Sequence, residues 1–228
     1  MISVVIPTLN ASVRLNACLE ALSPARDSGV IGEVIVVDGG STDETAEIAR
    51  RHSAKVMMAS PGRGGQLRKG AEIALGEWLL FLHGDTVLEN SWTDEAARLM
   101  ADAPEKAGVF TLAFDTEDWR ARLVAKGTMM RTRWLKSPYG DQGLLIKRSV
   151  YDEIGGYADM PLFEDVDIVC RLIKQKGAGG LHVLSCRAVT SAERYVREGY
   201  GRRVLKNFIL LMRYRFGAAP SALAEAYR

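Results

Sequence analysis

The chain has 228 residues, with 30 Lys and Arg against 28 Asp and Glu, giving a formal net charge of +2. A chain so balanced has no overall field to draw in nucleic acid, and 47% hydrophobic with 25% charged residues excludes a disordered or fibrous protein in favour of a globular one. No apolar run approaches the roughly 20 residues of a transmembrane helix. The three cysteines, Cys18, Cys170 and Cys186, form neither a CxxC pair nor a disulfide framework. They read as buried thiols of a cytoplasmic protein.

The first hundred residues alternate strands and helices. Residues 2–6 are apolar but lack a basic leader, so they read as a first buried strand rather than a signal peptide. Asn10 is placed to cap a helix running to about Leu22, with Val13, Leu15 and Leu19 as its apolar positions. Residues 33–38 form a second strand, Gly39-Gly40 turns the chain, and Ser41 or Thr42 caps a helix to Arg51. A short strand over 55–59 leads to the loop Pro61-Gly62-Arg63-Gly64-Gly65 and a helix from Gln66 to Leu75. Residues 78–83 form a fourth, central strand, and Ser91 caps a helix to Met100. This repeat calls for an α/β fold with a mostly parallel central sheet and helices on both faces.

The pattern then changes. Residues 108–115 alternate as an edge or antiparallel strand does, 119–134 read as helix and 142–147 as strand. Residues 162–176 turn into an amphipathic helix, and 181–188 read as extended. No Pro/Ser-rich linker separates the halves. Residues 1–228 are therefore expected to form one domain, with a nucleotide half over 1–100 and an acceptor half over 101–228. On a helical wheel over residues 200–216, Arg202, Lys206 and Arg213 share one face. Tyr200, Val204, Leu205, Phe208, Leu211 and Met212 lie opposite, with Arg215 out of place. The favoured expectation is a helix packed on the domain with its basic face in water; the alternative is a helix lying on an anionic membrane.

Carboxylates mark the chemistry. In an open α/β sheet the ligand crevice lies beyond the carboxyl ends of the strands. Asp38 ends the second strand, Asp85 follows the fourth, and Glu164-Asp165 precede the helix over 166–176. Asp38 suits a nucleobase or ribose, and Gly39-Gly40 lets backbone approach it closely. Asp43 reads as a helix cap. Asp85 is placed to hold Mg²⁺ or Mn²⁺ against phosphate oxygens; His83 reads first as a structural histidine. Arg63 or Arg68, with the amides of a helix start, offers a diphosphate contact, although neither GxxxxGK[ST] nor GxGxxG is present. Glu164-Asp165 suits both helix capping and acid-base work. No Ser-His-Asp or Cys-His arrangement stands out, which agrees with a displacement that needs a base and no enzyme nucleophile.

Val5-Ile6-Pro7-Thr8-Leu9-Asn10, Val37-Asp38-Gly39-Gly40-Ser41-Thr42-Asp43, His83-Gly84-Asp85 and Phe163-Glu164-Asp165 stand in the order seen in family-two glycosyltransferases of the GT-A fold. The chain resembles that family over nearly its full length, and a small bacterial subgroup of it in particular. The resemblance implies inverting transfer from a UDP-sugar or GDP-sugar to a hydroxyl acceptor, itself unknown and open to being lipid-linked. It places Pro7, Thr8, Leu9, Asn10, Asp38, Arg63, Gln66, Arg68, His83, Gly84 and Asp85 along the nucleotide-sugar, with Asp85 as the metal ligand. Asp165 becomes the general base beside Glu164, and Asp141 and Gln142 approach the acceptor. Two positions depart from the family pattern: His83 replaces the first Asp of DxD, and Ala11 replaces a Glu that often follows the first-strand Asn. With the cysteine usage and the basic terminal helix, the expected setting is cytoplasmic, with peripheral contact at the inner membrane face as an option. The rival readings are a nucleotidyltransferase and a non-catalytic nucleotide-binding or membrane-docking module. The first usually carries a glycine-rich loop where this chain has Pro7-Thr8-Leu9-Asn10.

Overall fold

The structure, a computed structural model, describes residues 1–227, the side chain of Leu135 excepted. Its strands sort their side chains by alternation. In β1 (Ile2–Thr8), Ile2, Val4 and Ile6 enter one core cluster while Val5 enters the other. In β2 (Ile31–Asp38), Val34 and Val36 part from Ile35 and Val37 in the same way. In β4 (Trp78–Phe81), Trp78 and Leu80 part from Leu79 and Phe81. Strands apolar on both faces require helices on both faces. The first cluster is closed by α1 (Ser12–Asp27), α2 (Thr45–Arg51) and α4 (Trp92–Asp102), through Leu15, Leu19, Ile48 and Leu99. The second is closed by α3 (Arg63–Ile73), α6 (Arg148–Glu153) and α7 (Glu164–Lys176), through Leu67, Val150, Ile168 and Leu172. A Cβ on Gly70 would lie 2.3 Å from Val5 Cγ1, so only glycine lets α3 sit this close to the sheet.

One eight-stranded sheet runs through both halves in the order β3-β2-β1-β4-β7-β6-β8-β5, where β3 is Lys55–Met58, β5 Val87–Leu88, β6 Ala107–Phe114, β7 Leu144–Lys147 and β8 Leu181–Thr190. The first four strands in that order are mutually parallel. β7 then runs antiparallel to both β4 and β6, β8 parallel to β6, and β5 antiparallel to β8. β6 is thus antiparallel to a neighbour, as one of the two expectations had it, and no edge strand. Its alternation reflects a sheet face covered by α5 (Trp119–Leu135) rather than by solvent.

Several boundaries differ from expectation for local reasons. Asn10 does not cap α1: it is left-handed, with φ 52°, and its Oδ1 accepts the Thr42 N–H at 2.9 Å. Asp43 serves the helix starts instead, accepting the N–H groups of Ser12 and Thr45, both at 3.1 Å. Neither Ser41 nor Thr42 caps α2, which begins only at Thr45. α3 starts at Arg63, so that arginine is in a first helical turn rather than in the loop. Ser91 stands at the start of α4 without a side-chain capping bond. Cys18 and Cys186 are buried thiols as expected, but Cys170 is exposed.

The largest departure is α9 (Tyr200–Arg215). The residues it buries are Arg203, Leu210 and Leu211, whereas Val204, Leu205 and Phe208 are exposed. Arg203 can face inward because it has a partly buried partner, donating from Nη1 to Glu198 Oε1 at 3.0 Å. α8 (Glu193–Glu198) and α10 (Pro220–Tyr227) complete the C-terminal helices. Among the described residues, no helix is long and apolar enough to cross a membrane.

Glu33 ties strand ends together. It accepts from Ser3 Oγ, Lys55 Nζ and the Leu75 N–H, each at 2.6 Å. Burial opposes its charge, but these donors outweigh it and hold the carboxyl below its ordinary value. Its contribution is therefore complete above the unfolded carboxyl pKa and fades as pH falls through the lowered folded one. Glu33→Ala should lose about 1.5–3 kcal/mol at neutral pH. Denaturant melts should show the gap closing below about pH 4; a pH-independent gap would mean a purely steric effect.

Candidate active site

The functional side chains gather beyond the carboxyl ends of β1, β2 and β4. Asp38 ends β2 and is 1% exposed. Thr8 Oγ1 donates to its Oδ1 at 3.0 Å and Ser41 Oγ to the same oxygen, and the Ser41 N–H donates to Oδ2 at 2.9 Å. Oδ1 is thus fully used, and Oδ2 keeps further lone-pair capacity. Pro7 and Thr8 lie within β1, paired with Val37 and Asp38, whereas Leu9 is half-exposed beyond it. Gln66 is 3% exposed and already committed: its Nε2 donates to Thr8 O at 2.9 Å and to Val37 O at 2.7 Å. Both amide hydrogens are used, so Gln66 ties the two strand ends together and offers the cleft no free donor.

His83, Gly84 and Asp85 follow β4. A Cβ on Gly140 would fall 2.7 Å from His83 Nε2 and 3.4 Å from Asp165 Oδ2. Only glycine at 140 lets these groups pack so closely. The Gly140 N–H donates to Asp165 Oδ2 at 2.5 Å, and the Val166 N–H donates to Asp165 Oδ1 at 2.7 Å. Asp165 is thereby fixed in the first turn of α7, with its carboxylate beside His83. Burial, then the nearby Arg63 guanidinium, push His83 down to about 4, so its ring is neutral near pH 7.

Arg63 does not stand free for an anion. Its Nε lies 3.0 Å from Glu164 Oε1, and Glu164 is 1% exposed. Neither Glu164 oxygen has a properly directed hydrogen bond among the described residues. Burial raises the Glu164 carboxyl while Arg63 opposes it, and the net direction is upward. Arg68 is exposed and pairs one turn along with Glu72 at 3.2 Å, on the surface rather than in the cleft.

Asp141 and Gln142 part company. Gln142 is fully buried and points into the fold: Thr132 Oγ1 donates to its Oε1 at 2.8 Å, and its Nε2 donates to Phe110 O at 3.0 Å. It pins α5 to β6, so its expected approach to the acceptor is not met. Asp141 is the opposite case. Its Oδ1 is buried with no partner among the described residues, and burial, then the Asp165 charge, push it up to about 7. A carboxyl that holds its proton in the fold above its unfolded value of 3.8 loses stability as pH rises from about 4 to about 7. Asp141→Asn should therefore gain on the order of 1–2 kcal/mol over the parent by pH 8, with little difference at pH 4. Thermal melts across this range decide it, and a gain that does not grow with pH would contradict the assignment.

Other groups at the cleft carry no readable motif. Arg131 lies 3.6 Å from the centre of the Tyr139 ring, and its Nη2 is buried without a partner among the described residues. Arg194 donates to Tyr227 Oη at 3.2 Å, and the Arg194 guanidinium is near enough to His83 to disfavour a charged ring there. Leu210, Leu211 and Leu223 of the C-terminal helices pack with Phe163, Val166 and Tyr139 beside the cleft. A small cavity lies beneath, lined by His83, Tyr139, Gly140, Tyr157, Glu164 and Asp165. The Arg131–Tyr139 contact forms where the chain folds back after α5, with Arg131 Nε donating to Ser137 O at 2.8 Å, a turn that no motif marks.

A sheet of this order, with carboxylates collected beyond its strand ends, is the GT-A architecture of glycosyltransferases. Residues 3–160 match the family described as Glycosyl transferase family 2, and the chain belongs to that family. A PGL/p-HBAD biosynthesis glycosyltransferase of Mycobacterium bovis is 37% identical over 108 residues, which span 44% of this chain and 41% of that relative. The glucosyl-3-phosphoglycerate synthase of Mycobacterium tuberculosis is 32% identical over 95 residues, covering 38% and 29%. The chain therefore covers less than half the length of these curated relatives. The crystal structure of that synthase with Mn²⁺ and UDP-glucose superposes with a TM-score of 0.67 at 18% identity, over 92% of this chain and 78% of the other.

Proposed function

We propose that the protein moves a sugar from a UDP- or GDP-linked donor to a hydroxyl acceptor by a single, inverting displacement. The observation that carries this reading is the convergence of His83, Gly140 and Asp165 at the sheet's carboxyl edge, with Arg63 and Asp141 close by. Residues 1–100 hold the donor and the remainder holds the acceptor within one domain. Support for the donor class comes from the mycobacterial synthase, solved with Mn²⁺, UDP and glucosyl-3-phosphoglycerate.

Asp165 is the general base. The Gly140 and Val166 N–H groups orient it. It takes the acceptor hydroxyl proton as that oxygen bonds to the anomeric carbon. The bond from that carbon to the diphosphate oxygen breaks, and the nucleoside diphosphate leaves with the electron pair. Arg194 and Arg63, the latter keeping its pair with Glu164, add positive charge on the side of the cleft where His83 lies. The unpartnered oxygen of Asp141 and Nη2 of Arg131 suit sugar or acceptor hydroxyls, which would satisfy both. Asp38 faces the nucleoside from beneath.

The residues fit a divalent metal, Mg²⁺ or Mn²⁺. Among the described residues no three His, Cys, Asp or Glu side chains form a ready-made cluster. Such ions often take one or two carboxylates, keep waters, and complete their shell with substrate phosphates. Asp85 makes no ion pair among the described residues, and it would hold the ion with neutral His83 beside it. When bound, the metal neutralises charge on the diphosphate. A lipid-linked acceptor and peripheral placement at a membrane belong to the same reading, supported by the exposed apolar and basic residues of α9.

A thermal-shift screen tests the donor site, because a ligand that binds only the folded state raises its apparent stability. Nucleoside diphosphates should shift the melt upward more with Mn²⁺ than without. No shift with any of them would remove the nucleotide site.

A further inference from the structure

The exposed large apolar residues are concentrated on two helices that touch each other, α5 and α9. On α5, Trp119 is 69% exposed, Leu123 61%, Met130 56% and Trp134 78%. At 100° per residue these four fall on one stripe, and Arg122, Lys126 and Arg133 lie within or beside it. The other two tryptophans, Trp78 and Trp92, are buried. On α9, Val204, Leu205, Phe208 and Ile209 are 44–58% exposed, with Arg202 and Arg213 at one edge and Arg215 among them. Phe216, just beyond, is 88% exposed. Neither helix contains an Asp or Glu. Among the described residues none of these six basic side chains has a carboxylate partner.

Water alone does not account for this surface. A solvated basic helix leaves its apolar side chains inside, whereas here apolar and basic groups share the outward face. Contiguous exposed apolar surface marks an interaction site, and exposed tryptophans amid arginine and lysine match the interface of a bilayer, where ring and guanidinium sit at headgroup level. An apolar protein partner would leave six unpaired cations uncompensated, while anionic headgroups neutralise them. An open groove on α5, between Leu112, Met129, Met130, Arg133 and Trp134, adds apolar depth.

We infer that the outward faces of α5 and α9 together form a docking surface for an anionic lipid bilayer. The surface is separate from the transfer chemistry, so vesicle binding and nucleotide binding can fail independently. It goes beyond a contact by the terminal helix alone, because α5 supplies both exposed tryptophans.

The test uses the full chain with vesicles of phosphatidylglycerol and phosphatidylcholine, or phosphatidylcholine alone. Cosedimentation should require the anionic lipid and weaken as salt rises from 0.05 to about 0.5 M. Tryptophan emission should shift to the blue on binding, and the shift should vanish in Trp119→Phe/Trp134→Phe. Leu123→Glu/Trp134→Glu on α5 and Leu205→Glu/Phe208→Glu on α9 should each lower vesicle affinity at least about tenfold. Both should keep the parent melting temperature and nucleoside diphosphate binding. Loss of binding in the α9 variant alone would overturn the two-helix surface. So would a parent dimer that these variants dissolve, since the face would then belong to a second copy. Absence of binding to anionic vesicles would end the proposal outright.

Discussion

Asp165→Asn is expected to lower turnover by about 10²–10⁴-fold while leaving donor affinity near that of the parent. The amide keeps the shape and its one oxygen can still accept from the Gly140 N–H, which Asp165 takes at 2.5 Å, although the bond from the Val166 N–H is then lost. The larger loss is the capacity to take a proton, which is used only in the reacting complex. Glu164→Gln tests the neighbouring carboxyl. Glu164 is buried 3.0 Å from Arg63, so its replacement should act mainly through placement of Arg63 and of the α7 start. Burial also raises the Glu164 carboxyl, which makes the neutral amide a close mimic of its protonated form. Turnover should therefore fall much less than in Asp165→Asn. The readout is nucleoside diphosphate release with a working acceptor, beside donor binding for each variant. Near-parent turnover in Asp165→Asn with none in Glu164→Gln would move the base to Glu164. Undiminished turnover in both would move the reaction elsewhere.

Asp85→Ala is expected to weaken nucleoside diphosphate binding at least about 10–100-fold in Mn²⁺, with a smaller effect when the metal is chelated. The side chain follows β4, is partly exposed, and takes part in no ion pair among the described residues. Its removal should therefore leave the melting temperature unchanged. Calorimetric titrations of parent and variant, each with Mn²⁺ and with chelator, separate a metal ligand from a bystander. Equal Mn²⁺-linked affinity in the two proteins would show that the ion is held without Asp85.

The βα half of the fold was legible because β1, β2 and β4 are apolar on both faces and each helix start carries polar residues. Such local patterns survive tertiary context. For β6 the antiparallel alternative holds, in its pairing with β7, and the edge alternative does not, because alternation reports one covered face and does not distinguish water from α5 on the other. The face of α9 was partly misassigned: Leu211 is buried and Arg202 and Arg213 exposed as expected, but a helical wheel counts Arg203 as polar, whereas it is buried with a partly buried partner in Glu198. At the site, Asp38, His83, Asp85 and Asp165 were marked by strand and helix ends, where topology alone brings chains together. Gln66, Arg68 and Gln142 were marked by type and neighbourhood, but side-chain direction decides their role. Gln66 and Gln142 turn inward to backbone carbonyls and Arg68 turns outward to Glu72. Arg131 is set by the turn that follows α5, where Ser137 and Tyr139 meet it, and Arg194 and Tyr227 by packing of the C-terminal helices; none of the three carries a motif.

The most direct measurement of the central claim follows α-configured UDP- and GDP-sugars by proton NMR in the presence of Mn²⁺, with water as acceptor where no better one is known. The anomeric coupling reads the configuration of the first-formed sugar, and phosphorus signals identify the nucleotide product. Inverting transfer yields a nucleoside diphosphate together with the β-anomer before mutarotation, and Asp165→Asn abolishes both signals in step. An α-anomer formed first, or a nucleoside monophosphate with a sugar phosphate, would contradict the account.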